Sequence, residues 1–106
     1  MFEEWMAQTN QYVQKHIDRR IFQAIAASLN ADIEELCNLY VAVLLDRGVI
    51  NQSGDDTGVE IDEDDLLEEI LARFLAKRDV NDELALLYAA LIDAYLALVQ
   101  EASEDA

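Results

Sequence analysis

The chain has 106 residues, 53% hydrophobic and 28% charged, with a formal net charge of -16, a pI near 4.1, no proline and one cysteine. That length fits one domain able to bury its own core, and the hydrophobic fraction separates the chain from disordered polyanions. The charge argues against phosphate-mediated nucleic-acid binding, because the field of the molecule repels the polyanion, and a lone cysteine excludes an internal disulfide.

In chain order, Phe2, Trp5, Met6, Tyr12, Val13, Ile17, Ile21, Ala24, Ile25 and Leu29 recur at spacings of three and four. This predicts one long helix, or two meeting near Asp18. The opening MFEEWMAQTN carries acids where a secretory signal is basic, and it lacks a continuous apolar run, so no signal is expected. Asn30 suits the left-handed residue that closes a helix, and Asp32-Ile33-Glu34-Glu35 reads as a D-x-x-E capping box opening a second one. The stripe of that helix is Ile33, Leu36, Cys37, Tyr40, Val41 and Leu44; Gly48 ends it, and Val49 is placed for the apolar contact of a Schellman cap. Cys37 lies inside the stripe and reads as a small core residue, with a reducing cytoplasm as the expected location.

The stretch SGDDTGVEIDEDDLLEE holds nine carboxylates in seventeen residues, Ser53 to Glu69. A calcium loop of EF-hand type does not fit in either frame: from Asn51 the glycine position is Asp56, and from Asp55 two ligand positions are Thr57 and Val59. A helix start does fit, with Asp62 as N-cap, Asp65 three residues on, and Ile61 and Leu66 as a hydrophobic staple. The third helix then carries Leu66, Leu67, Ile70, Leu71, Phe74 and Leu75 and closes with Lys77 and Arg78 at the negative end of its dipole.

Asp79 or Asn81 is expected to cap a fourth helix, DELALLYAALIDAYLALVQEAS, which is apolar almost all round. Such a helix belongs at a bundle centre or an oligomer interface. With Leu84, Leu87, Leu91 and Tyr95 facing inward, Leu86, Ala90, Ala97 and Leu98 are left as a self-association face. The run is short for a bilayer and contains Asp93, so no membrane role is expected.

The expected fold is all-α: a four-helix bundle built from two αα-hairpins joined by an acidic loop. Hairpin one covers residues 2–48, the acidic linker 49–61 and hairpin two 62–103, within a single domain. Links of about three residues are expected inside each hairpin and about a dozen between them. Glu35 to Ala42 and Glu83 to Ala90 both read E-L-x-x-L-Y-x-A, and Ile21, Phe22, Ile25 and Ala27 fall opposite Ile70, Leu71, Phe74 and Ala76. Internal duplication and coincidence of helical period both remain open.

No constellation for catalysis is present. Carboxylate-bridged metal sites in bundles need E-x-x-H, but the only histidine, His16, follows Val13 at that spacing. All-α nucleoside-triphosphate pyrophosphatases carry E-E-x-x-E and then E-x-x-D, whereas Glu68-Glu69 here is followed by Ala72, and Glu83 by Leu86. His16, between Val13 and Ile17, reads as a partly covered structural residue without a nucleophile to serve. No catalytic residue, cofactor or metal is therefore assigned, and the chain reads as a non-enzyme.

The one basic cluster is Lys15, His16, Arg19 and Arg20. Together with IAASLNADIEELCNLYVAVLLDRG it resembles the helical part of small DNA-binding regulators, which implies DNA binding; no basic recognition face follows it, and the net charge has the wrong sign. The first functional expectation is a non-catalytic protein-interaction module, an adaptor, small chaperone or inhibitor, acting as a homodimer on a basic protein partner without direct nucleic-acid contact. The acidic surface assigned to that partner is Asp55, Asp56, Glu60, Asp64 and Glu68. The alternative is an acidic nucleic-acid mimic that blocks a DNA- or RNA-binding protein, and the regulator comes third.

Overall fold

A computed structural model describes residues 3–105, without the side chains of Ser103 and Asp105. Phe2, assigned to the first apolar stripe, lies outside the described residues. Four helices form the bundle: α1 (Glu3–His16), α2 (Leu29–Asp46), α3 (Glu63–Leu75) and α4 (Asp82–Asp105). α1 packs on α2 and α4, α3 packs on the same two, and α2 and α4 also meet across the centre. Trp5 lies against Tyr40 and Phe74 against Tyr88, which sets successive helices antiparallel, as two αα-hairpins require. α4 therefore touches three neighbours, and this covers most of the apolar surface that made it look like an interface.

The first hairpin departs from expectation between its helices. α1 stops at His16, and twelve residues, 17–28, replace the expected short link. Their backbone runs on bonds three residues apart: Ile21 to Asp18, Phe22 to Arg19, Ile25 to Phe22, Ala26 to Gln23 and Ser28 to Ile25. Such a 3₁₀-like course buries positions three apart, and Phe22 and Ile25 are buried while Ile21 is 59% exposed. Apolar spacing of three to four suits this course as well as an α-helix, which is why the sequence pattern ran on through it. The pattern shared by the two hairpins also breaks here, since residues 21–27 form turns around a short 3₁₀ helix, whereas their counterparts 70–76 lie in α3 and its C-cap.

The predicted capping box at Asp32 is likewise replaced. α2 begins at Leu29, with the Ser28 carbonyl accepting the Asp32 N–H at 2.8 Å, so Asp32 lies inside the first turn. Its buried carboxylate accepts from the Ser28 hydroxyl at 2.9 Å and pairs with Arg78 at 3.3 Å. Arg78 also pairs with Glu35 at 2.6 Å, donates to the Phe74 carbonyl at 2.8 Å and lies 3.7 Å over the Phe74 ring. One guanidinium thus ties the start of α2 to the end of α3. Asn30, expected to close a helix, sits within α2 instead.

The other helix ends follow the sequence more closely. Gly48 has φ +71, a region side chains disfavour, and the bonds from Gly48 N–H to Leu45 and from Val49 N–H to Leu44 complete a Schellman cap on α2. Asp62 occupies the N-cap of α3 in extended geometry, yet its carboxylate makes no cap hydrogen bond. Asn81, rather than Asp79, caps α4 by accepting the Leu84 N–H at 2.8 Å. The core joins all four helices through Val13, Leu29, Leu36, Ile70, Leu91 and Tyr95, with Cys37 fully buried among them. No helix among the described residues is long and apolar enough to cross a membrane.

Candidate functional site

The segment expected to be a plain acidic linker is a folded loop. Asn51 N–H bonds to Asp55 and Thr57 N–H to Val49, closing a small hairpin around an Ile50–Asp56 bridge. The Asn51 side-chain oxygen accepts the Ser53 and Asp55 N–H groups, and Gly54 turns the chain at φ +85. The Thr57 hydroxyl contacts the carbonyls of Gly48 and Val49, pinning the loop to the end of α2.

Between this loop and the helices lies an open groove. Its more enclosed part, about 320 Å³, is walled by Trp5, Tyr40, Val41, Leu44, Ile50, Ser53 and Gly54. The Trp5 and Tyr40 rings stack there at 6.0 Å and 17°. A wider trough of about 560 Å³ shares Tyr40, Leu44, Ile50 and Gly54 and continues past Val49, Val59, Ile61 and Leu66 to Gln100. Asp56, Glu60 and Glu63 stand in its lining, and neither part is lined by a lysine or arginine.

The antiparallel order explains the charge of this end. It gathers the starts of α1 and α3, whose first turns hold Glu3, Glu4, Glu63, Asp64 and Asp65, and the loop acids. Lys15, Arg19, Arg20, Lys77 and Arg78, five of the seven cations, fall at the opposite end or in its links. Of the nine carboxylates from Ser53 to Glu69, Glu69 is bound by Arg47 at 2.7 Å and by Arg73 at 3.1 Å; the other eight are exposed and form no ion pair among the described residues.

All five acids assigned to a partner are exposed, but the structure does not bring them to one place. Asp56 and Glu60 line the groove, Asp55 lies beside them in the loop, and Asp64 and Glu68 stand on the outer face of α3. Glu63, Trp5, Tyr40 and Ile50 join the site without having been singled out. Trp5 and Tyr40 read as ordinary stripe residues, and only the turn residues Asn51, Ser53 and Gly54 hinted that the loop folds back.

On α4, Leu86 is 73% exposed and Ala90 and Ala97 face outward, with Asp93 between them. Leu98 does not belong to that face: it is half-buried against the core, seven residues from Leu91 and hence on its side of the helix. In the basic cluster, Arg19 donates to the Gln14 carbonyl and the Asn30 side chain, and Arg20 pairs with Asp18 at 3.1 Å. Arg20, through its side chain and then its N–H, holds the Asp18 carboxyl below its usual range. Lys15 is exposed at the end of α1. His16 is exposed rather than partly covered, with its ring 4.2 Å from that of Tyr12.

Inside the bundle, burial pushes the Cys37 thiol up, against a lowering contact from the Tyr95 hydroxyl. Tyr40 and Tyr95 are raised by burial first and by Cys37 second. Among the described residues, no group of three or more His, Cys, Asp or Glu is placed to hold a metal ion. No protein-family model, curated protein or solved structure matches the chain.

Proposed function

We propose that the chain is a non-catalytic protein-interaction module whose working surface is the groove at the acidic end of the bundle. The observation that carries this reading is an aromatic-walled apolar cleft held open by a pinned loop, a shape that receives a side chain of another molecule. Cys37 is fully buried, with burial raising its thiol pKa, and His16 lies exposed on α1, so neither is used in this reading. Affinity capture from native lysate with the wild type and with Trp5→Ala tests it. A partner retained at about 0.5 M salt, where exposed charges are screened within a few ångströms, and lost with Trp5→Ala supports the module.

A second reading rests on the eight unpaired carboxylates between Asp55 and Glu68, which suit an acidic mimic of a nucleic-acid backbone. The two differ in what holds the partner: apolar burial for the module, charge for the mimic. A partner released by salt and indifferent to Trp5→Ala favours the mimic. A homodimer through the outer stripe of α4 belongs to the module reading, with Leu86 as its one large exposed side chain.

A further inference from the structure

We infer that the groove takes a cationic amphipathic segment of a partner protein, its apolar side chains entering between Trp5, Tyr40 and Ile50 and its lysines or arginines lying over Asp56, Glu60 and Glu63. This occupant rests on the interaction-module reading and adds to it the chemistry of the partner.

The lining sets the requirement. Apolar and aromatic side chains, Trp5, Tyr40 and Ile50, line one part, three exposed carboxylates line the wider part, and neither is lined by a lysine or arginine, so the complementary surface joins an apolar stretch to positive charge. Val59, 48% exposed, extends the apolar strip along the trough beside Glu60. The two parts of the groove share Tyr40, Leu44, Ile50 and Gly54, and together they reach from Trp5 at the start of α1 to Gln100 near the end of α4, a course that suits an extended or helical segment better than a compact small molecule.

Charge also selects among occupants. A second copy brings another net -16 to a rim that is already negative, and a nucleic acid is repelled by the same field. A positive segment is drawn in, and with most cations of the chain at the far end, nothing nearby competes for the rim acids. Arg47 and Arg73, the cations closest in sequence to the loop, are occupied by Asp46 and Glu69.

The chain holds a single tryptophan, Trp5, and it stands in the wall of the cleft. Its emission therefore reports occupancy by any Trp-free peptide. The probes are an amphipathic helix-forming peptide of lysine, leucine and phenylalanine, the same composition in an order that disperses the apolar face, and a version with glutamate for lysine. The first is expected to change Trp5 emission saturably, and the other two to bind at least tenfold more weakly. Asp56→Asn/Glu60→Gln/Glu63→Gln, at exposed positions and with the amide at position 56 keeping the side-chain oxygen that accepts the Gly58 N–H at 2.8 Å, is expected to weaken the first peptide at least tenfold at about 50 mM salt and much less at about 0.5 M. Tyr40→Ala, and Ile50→Ser should Tyr40→Ala lower the folded fraction, is expected to weaken binding tenfold at both salts, whereas Leu86→Ala leaves it unchanged.

Equal binding of the dispersed peptide, or indifference to both Tyr40→Ala and Ile50→Ser, overturns the inference in favour of bare polyelectrolyte attraction. Trp5 emission that shifts with protein concentration alone, alongside a sedimentation mass twice that of the chain, overturns it in favour of a second copy. Failure of every peptide while the captured lysate partner is still lost with Trp5→Ala removes the cationic occupant and leaves the module standing. Capture indifferent to Trp5→Ala removes both.

Discussion

Arg78 offers the sharpest test of how the bundle is held, because one side chain meets four partners. Replacing it by methionine leaves the Asp32 carboxylate, 6% exposed, with only the Ser28 hydroxyl, and also removes a bond to the Phe74 carbonyl and the stacking on the Phe74 ring. Stripping one partner from a buried pair costs about 3–5 kcal/mol, and Arg78 is itself 23% exposed, which places the expected loss near the lower end, about 3 kcal/mol. Asp32→Asn removes the charge but leaves Arg78 with Glu35, the carbonyl and the ring, so a loss of about 1–2 kcal/mol is expected. Glu35 is 38% exposed, and its oxygen at 2.6 Å makes an ion pair without hydrogen-bond alignment; Glu35→Gln should cost below about 1 kcal/mol. Urea unfolding followed by circular dichroism at 222 nm ranks the three. Arg78→Met costing no more than Glu35→Gln would refute the assignment of Asp32 as the stranded charge. The pair Asp32→Leu with Arg78→Met should recover part of the loss, since no buried charge is then left unpaired.

Alkaline stability follows from the raised tyrosines and thiol: below their ordinary values, near pH 9 for Cys37 and 10 for Tyr40 and Tyr95, both states hold the protons and nothing changes. Above them the unfolded chain releases protons that the folded chain retains, so urea midpoints should fall with rising pH, and Tyr40 and Tyr95 should ionise at 295 nm only as the fold is lost. A full four-tyrosine titration in the folded chain would contradict their burial. Monovalent salt should raise the melting temperature by screening the charge of -16, and calcium or magnesium at equal ionic strength should add nothing more; a saturable micromolar heat of binding refutes the second half. Self-association through Leu86 should strengthen when charge is screened, as a sedimentation mass that rises with salt and is returned by Leu86→Glu to the 12.0 kDa of one chain; a wild-type mass of one chain at low and high salt alike removes the homodimer. Asp62→Ala should change stability by less than about 0.5 kcal/mol, no more than Asp55→Ala, since its carboxylate makes no cap bond, and a loss of about 1 kcal/mol or more would restore the capping role.

What the sequence determined by itself is what depends on neighbours a few residues apart. Leu36, Cys37 and Leu44 are buried on one face of α2, and Leu66, Ile70 and Phe74 on one face of α3, because spacings of three and four set a helical stripe whatever lies opposite. Gly48 and Val49 closed α2 as read, since a Schellman cap is made within six residues. The stretch from Ile17 to Ser28 was misread for the same local reason: Phe22 and Ile25, three apart, satisfy an α-helix and a run of 3₁₀ turns alike.

Tertiary structure decided the rest. Asp32 has the spacing of a capping box but lies within reach of Arg78, 46 residues away, and a buried charge takes the guanidinium over a cap. Leu98 was placed outward by elimination and turned inward by its neighbours on three sides. The groove draws Trp5, Tyr40, Ile50, Glu63 and Gln100 from four helices and a loop, so no window of sequence contains it. Its negative rim has the same origin, because antiparallel packing sets two acidic helix starts beside the loop acids and sends most of the cations to the other end.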